Sequence, residues 1–354
     1  MPRPDVSRRF FGEAIELTAL RLLQAAGLPA ERARVVASTL KEAELLGRST
    51  HGLWLLDLYL SDLAQGVMGT GSDHIVLHDH GSSLVWDGRR LSGAWLVHNA
   101  MEEGFRRLEH HPVVTVTIKH SHHVGCHAVF LRRATERDLV MLLMDTNPGF
   151  KTVAPFGSNQ ALYSPTPISA GIPTDGDPIL IDLSLSSSSL GRALAHHRRG
   201  KKLAGKWLLD HQGRPTDDPS VLFADPPGSI LPLGGSDVGY KGFGLALMVY
   251  ALSAGLAGYD ADDADDANSS AVFLQLIDPD GFGGRLAFRR AISAFADKCR
   301  RSPAVPGGVG VRIPGERAEQ SRRRAHAEGV ELSEDCVEML ERWARTLDVS
   351  NVLG

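Results

Sequence analysis

Lys119-His120-Ser121-His122-His123-Val124-Gly125-Cys126-His127 joins two segments of opposite character. Before it, Val113-Val114-Thr115-Val116-Thr117-Ile118 is a β-branched run of the length and composition of a buried strand. After it, Ala128-Val129-Phe130-Leu131-Arg132-Arg133-Ala134 reads as a helix. The stretch is therefore a strand-to-helix turn carrying four histidines, a place where side chains converge on a ligand.

Imidazole has the unperturbed pKa nearest neutrality, which suits proton transfer. Three readings of the turn follow. With 15 histidines in the chain, it is a solvated surface turn. Or it is a metal site, since His123 and His127 share the i, i+4 spacing of a zinc-binding H-E-x-x-H helix; Val124 then stands where the general-base Glu belongs, and no ligand trio is evident nearby. Or it supplies an acid–base or orienting histidine, which needs a partner site elsewhere.

Upstream, the 3.6-residue period predicts a helix through Ile15, Leu22 and Leu23 that stops at Gly27, and a second through Val36 and Leu40 that stops at Gly47. A third spans Leu53 to Leu63, with Thr50 its expected N-cap and His51 at its N-terminus. There the helix dipole disfavours an imidazolium. From about residue 75 strands and helices alternate, which predicts an α/β fold. Strands are expected at 75–77, 84–86, 139–144, 178–181 and 271–277, and helices at 93–109 and around 286–295, with two more closing the chain, the last from Ser333. Asp145-Thr146-Asn147-Pro148-Gly149 reads as a polar turn, Asp182-Leu183-Ser184 as a polar mouth after a strand, and Ser186 to Ser189 as a segment suited to close backbone approach. The basic residues of 198–206 read as a solvated loop, and Asp260 to Asp266 as a mobile acidic loop.

Leu231-Pro232-Leu233-Gly234-Gly235 and Tyr240-Lys241-Gly242-Phe243-Gly244 flank a glycine-rich loop in which Lys241 opens a helix, an arrangement suited to phosphate. It is neither a Walker A loop nor a Rossmann fingerprint, because Leu247 replaces the third glycine and no strand leads in. The 354 residues suffice for two domains. A net charge of −4 gives no support to nucleic acid or a membrane surface as partner. Three scattered cysteines without C-x-x-C, no signal-peptide core and no bilayer-length apolar run predict a cytoplasmic protein.

Taken together, these stretches resemble the type-2 malate/L-lactate dehydrogenase family, which includes ureidoglycolate, sulfolactate and diketogulonate dehydrogenases and Δ1-piperideine-2-carboxylate reductase. Thr50-His51-Gly52 with Tyr59 is similar to its Ser-His-Gly segment, and Ser121-His122-His123-Val124-Gly125 to its active-site turn, with His123 on the family histidine. Val153-Ala154-Pro155-Phe156-Gly157, Ile181-Asp182-Leu183-Ser184, the two glycine-rich segments and Arg312-Ile313-Pro314-Gly315-Glu316 match in order. The resemblance implies a homodimer acting on a small molecule. It implies a non-Rossmann NAD(P)-binding domain, expected at 76–299, and a helical dimerisation domain built from 1–75 plus 300–354. It also implies hydride transfer between NAD or NADP and a 2-oxo or 2-hydroxy acid, or, alternatively, reduction of a cyclic imine; a metal-dependent hydrolase is the alternative from another class. His51 and His123 would be catalytic, with Arg48, Thr50, Tyr59 and His122 on the substrate. Asn147, Asp182, Leu183, Ser184 and Lys241 would hold the cofactor, as would Gly315, Glu316 and Arg317 after the last strand. No metal is expected. Leu55 stands where the family usually has a carboxylate-binding arginine, and Ser164-Pro165-Thr166-Pro167 replaces its Gly-Thr-Asn-Pro.

Overall fold

The computed structural model describes residues 8–259, 269–350 and 352–353; the acidic run Asp260–Asp266 lies outside them. Strand β1 (Arg8–Phe10) leads into helices α1 (Gly12–Ala25), α2 (Ala30–Leu45) and α3 (Leu55–Ala64). The hairpin β2 (Ile75–Asp79) and β3 (Ser83–Asp87) is followed by α4 (Gly93–Arg107), β4 (Val113–Ser121), α5 (His127–Thr135) and β5 (Val140–Thr146). Next come β6 (Pro167–Ile172), β7 (Ile179–Ser184), α6 (Leu190–Arg198), the short strands β8 (Leu208–Leu209), β9 (Pro215–Thr216) and β10 (Ser229–Ile230), and α7 (Gly235–Tyr250). The chain closes with β11 (Ser270–Ile277), α8 (Arg285–Arg300), α9 (Glu316–Glu328), β12 (Val330–Leu332) and α10 (Glu334–Thr346).

The fold is mixed α/β. Seven strands form one sheet in the order β2-β3-β4-β11-β5-β6-β7; β3 and β4 pair in parallel and every other neighbouring pair is antiparallel. Alternation on β11 decides the layers. Val272, Leu274 and Leu276 join Val114, Val116 and Ile118 of β4, Met141 and Leu143 of β5, and α4 and α5 in the main core. Phe273 points the other way and meets Met144 with Ala246 and Val249 of α7. The main core continues without a break into α1, α2, α3 and α10. The two chain ends meet where β1 pairs antiparallel with β12.

Four expectations need correction. Thr50 does not cap α3: Ser49–His51 is a single 3-10 turn and α3 begins at Leu55. The buried Glu44 carboxylate instead accepts the Leu53 backbone N–H at 2.7 Å, so His51 belongs to the loop before the helix. Lys241 does not open α7; it lies in the second turn, because the helix starts at Gly235 and kinks at Val238. Val311–Ile313 is irregular, and the last strand is β12, between the two closing helices. Finally, β6 was not among the expected strands; it pairs antiparallel with β5 on one side and β7 on the other. Gly171 in β6 faces the Leu131 carbonyl of α5, where a Cβ would come within 2.8 Å, so only a bare backbone lets the helix sit on the strand.

Candidate active site

A cavity of about 620 Å³ opens between the start of α3, the turn after β4, the ends of β5 and β7, and residues 164–167. That volume is within the range of roughly 300–1,000 Å³ usual for small-molecule and cofactor sites. The turn is held from outside by the loop before α4: Arg90 N–H donates to the His120 carbonyl at 2.7 Å and His122 N–H to that of Leu91 at 3.0 Å. His120 adopts a positive φ of 52°, which turns the chain so that His122 and His123 reach the cavity.

His51 and His123 face one another across the cavity wall, ring centroids 6.3 Å apart and planes within 14°. Tyr59, fully buried on α3, lies 3.0 Å from His123 Nδ1. Burial and the Asp62 charge hold the phenol proton tightly, so the hydroxyl donates and Nδ1 accepts. That fixes the ring proton on His123 Nε2. Burial pushes the His123 pKa down to about 4, with the neighbouring His51 adding to the effect. His51 is exposed to the cavity, yet the surrounding protein excludes enough water to lower its pKa too, against the pull of Asp182. Its Nδ1 is 3.1 Å from the Thr50 hydroxyl. Both rings are therefore biased toward the neutral form.

His122 is 1% exposed and donates from Nε2 to Asp62 Oδ2 at 2.8 Å, which leaves Nδ1 buried without a partner. His127 was missed as a site residue. Its Nε2 lies 2.8 Å from Asp145 Oδ1, its Nδ1 2.9 Å from Ser169 Oγ, and Ser169 donates to Asp182 Oδ1 at 3.3 Å. Burial opposes a charge on this ring, but Asp145 outweighs it and the pKa is raised. Asp182 Oδ2 also accepts the Ala128 backbone N–H at the start of α5. Both nitrogens of His127 are engaged, so the i, i+4 pair does not present two free imidazole nitrogens. Among the described residues no three His, Cys, Asp or Glu side chains converge to hold an ion.

Of the other expected residues, Arg48, Asn147, Asp182, Leu183 and Ser184 line this cavity. Lys241, Gly315, Glu316 and Arg317 do not. Gly315 packs on the backbone of Pro178 and Leu180, and Glu316 pairs with Arg300. Arg317 lines a second cavity of about 400 Å³, and Arg48 lines both. The residues fit a dinucleotide: Ser184, Ser189 and Gly191 are small, Asn147 supplies an amide, and Arg317 in the second cavity is a cation for an anionic group.

A sequence model of the malate/L-lactate dehydrogenase family matches residues 12–341. The chain belongs to that family. Similar family proteins include a (2R)-3-sulfolactate dehydrogenase (NADP(+)) of Chromohalobacter salexigens, 31% identical over 96% of this chain and 99% of that one. Another is an L-sulfolactate dehydrogenase of Methanothermobacter thermautotrophicus, 27% identical over 93% and 94%. A crystal structure of malate dehydrogenase from Entamoeba histolytica shares the fold with a TM-score of 0.92, at 20% identity over 98% of this chain and 99% of that one. The Δ1-piperideine-2-carboxylate reductase of Pseudomonas syringae superposes with a TM-score of 0.82, at 26% identity over 95% and 100%. Within the malate/L-lactate dehydrogenase family this chain is an oxidoreductase, and no helix among the described residues is long and apolar enough to cross a membrane.

Proposed function

We propose that this chain uses NAD or NADP to interconvert a small 2-hydroxy acid and its 2-oxo acid. The facing His51–His123 pair, in one cavity with Asn147, Asp182 and Ser184, carries the reading. When bound, the dinucleotide supplies or accepts the hydride at the substrate's second carbon. His51, neutral and open to the cavity, takes the hydroxyl proton in oxidation and returns it in reduction. His123, locked by Tyr59, donates from Nε2 to the substrate oxygen and holds it toward His51. Arg48 is exposed at the cavity and pairs with the substrate carboxylate, Thr50 steadies His51, and Asp62 orients His122 at the wall. Asn147, Asp182, Leu183 and Ser184 would hold the dinucleotide from this cavity, whereas Lys241 and Gly315, Glu316 and Arg317, outside it, have only their sequence motifs in support of a cofactor role.

The cofactor domain is of the non-Rossmann type in this reading, a view supported by the mostly antiparallel sheet. Residues 1–75 and 300–354 form a helical dimerisation unit beside the 76–299 unit. The β1–β12 ladder and the bonds from Arg342 and Trp343 of α10 to Asp57 of α3 support that division. A homodimer through that helical unit is supported by Phe11 and Leu17, both large apolar side chains left exposed at α1. Three free cysteines agree with a cytoplasmic location.

The test is a fluorescence titration with NADH and NADPH, followed by turnover of 2-oxo acids and cyclic imines and by metal analysis. Low-micromolar binding of one dinucleotide and its consumption by a 2-oxo acid are expected. Failure to bind either, or stoichiometric zinc with chelator-sensitive hydrolysis, would refute the proposal.

A further inference from the structure

The cavity wall is chemically lopsided. Among the described residues Arg48 is the one arginine that lines it, and no lysine does. Arg48 lies close enough to His51 and Cys126 for its charge to act on both. The carboxylates of the wall are already engaged, Asp62 with His122, Asp145 with His127, and Asp182 with Ser169 and the Ala128 amide. The same wall also carries Leu55 and Leu58 of α3 and Phe150 after β5, which are apolar. Leu58 is 42% exposed and Phe150 36%, and both line the cavity, so apolar surface is offered to whatever enters it.

We infer that the preferred substrate carries one anionic group and an apolar side chain: a monocarboxylic 2-oxo acid with a branched aliphatic or aryl substituent. This rests on the dehydrogenase reading of the same cavity. Arg48 takes the single carboxylate. A second anion at the far end of the substrate meets Leu55, Leu58 and Phe150, where it loses water and gains no cation, and it sits in the field of Asp145 and Asp182. An isobutyl or benzyl group in the same place is transferred out of water onto apolar surface.

The experiment compares kcat/KM for 4-methyl-2-oxopentanoate and phenylpyruvate with that for oxaloacetate and 3-sulfopyruvate, with dinucleotide binding measured separately. The apolar substrates are expected to lead by roughly 10- to 100-fold, the size of discrimination that one or two buried methylenes give. Leu55→Arg is expected to narrow or invert that ratio. Arg48→Met should raise KM for every 2-oxo acid by roughly 10-fold or more while changing kcat less, the signature of a lost ground-state contact. Equal or better use of oxaloacetate or sulfopyruvate overturns the inference and leaves the dehydrogenase reading standing. So does a ratio that Leu55→Arg fails to move. Dinucleotide binding with no 2-oxo acid turned over also overturns the inference, whereas absence of binding as well removes the reading beneath it.

Discussion

Glu44 offers a sharp physical test of how the His51 loop is held. The side chain is 4% exposed, and its carboxylate accepts the Leu53 N–H at 2.7 Å. Burial drives its pKa from 4.5 up to about 7, with the Leu53 hydrogen bond pulling the other way. A carboxyl whose folded pKa is raised binds its proton more tightly folded than unfolded. Its favourable contribution is therefore complete below about pH 4.5, declines as pH rises through the window from 4.5 to 7, and is gone above it. A shift of that size corresponds to about 3 kcal/mol lost between pH 4.5 and pH 8.5. Glu44→Gln keeps an amide oxygen for Leu53 and cannot ionise. Urea denaturation of both proteins from pH 5 to 8.5 is the assay. Near pH 5 the two should agree to within about 1 kcal/mol, and by pH 8.5 the Gln variant should be more stable by roughly 2–3 kcal/mol. A difference that stays constant across that range would refute the account, because it would mean that Glu44 does not change ionisation on folding in this window.

Further outcomes follow from the same geometry. Tyr59→Phe removes the donor to His123 Nδ1 while keeping the ring packing; kcat should fall about 10- to 100-fold, from a loss of roughly 1–3 kcal/mol, with KM nearly unchanged in steady-state assays. Because the His51 pKa is lowered, hydroxy-acid oxidation should be flat above neutrality and decline only on the acid side of pH 6.5. 2-Oxo acid reduction, which needs the protonated ring, should rise as pH falls; paired pH–rate profiles in both directions check this. A Cβ at Gly52 would stand 2.2 Å from Glu44 Oε1, so Gly52→Ala should cost roughly 2–4 kcal/mol in denaturation. The Gly52→Ala, Glu44→Ala double variant should cost less than the sum of the singles, because the clash is then gone.

Apolar runs made the central strands readable: β4, β5 and β11 are long enough and β-branched or aliphatic enough to be recognised without tertiary information. Their order was not, because the insertion of β11 between β4 and β5 is a choice between partners about 125 to 165 residues away along the chain. Thr50 looked like a helix cap on local rules, and a carboxylate from α2 took the role instead. The proline-flanked β6 is stabilised by its two neighbours rather than by its own propensities. At the site, His51 and His123 were legible because each sits in a local motif. The His127–Asp145 pair was not, since it joins the start of α5 to a residue that sequence placed in a polar turn after β5. Lys241 and Gly315–Arg317 had a motif but no geometry, and their relation to the cavity depends on packing that spacing does not encode.

The place of β11 also governs how the molecule is born. Strands β4 and β5 leave the ribosome well before β11 and have no direct bond to one another; each waits with an open edge for a partner made more than a hundred residues later. Such long-range pairing is slow, and open edges are where nascent chains associate wrongly. The histidine turn lies at the end of β4 and Asp145 near the end of β5, so the two halves of the cavity wall are brought into register by that late strand. A chain released before residue 270 would thus present two unsatisfied β edges on either side of an unfinished pocket, with aggregation rather than partial activity as its fate.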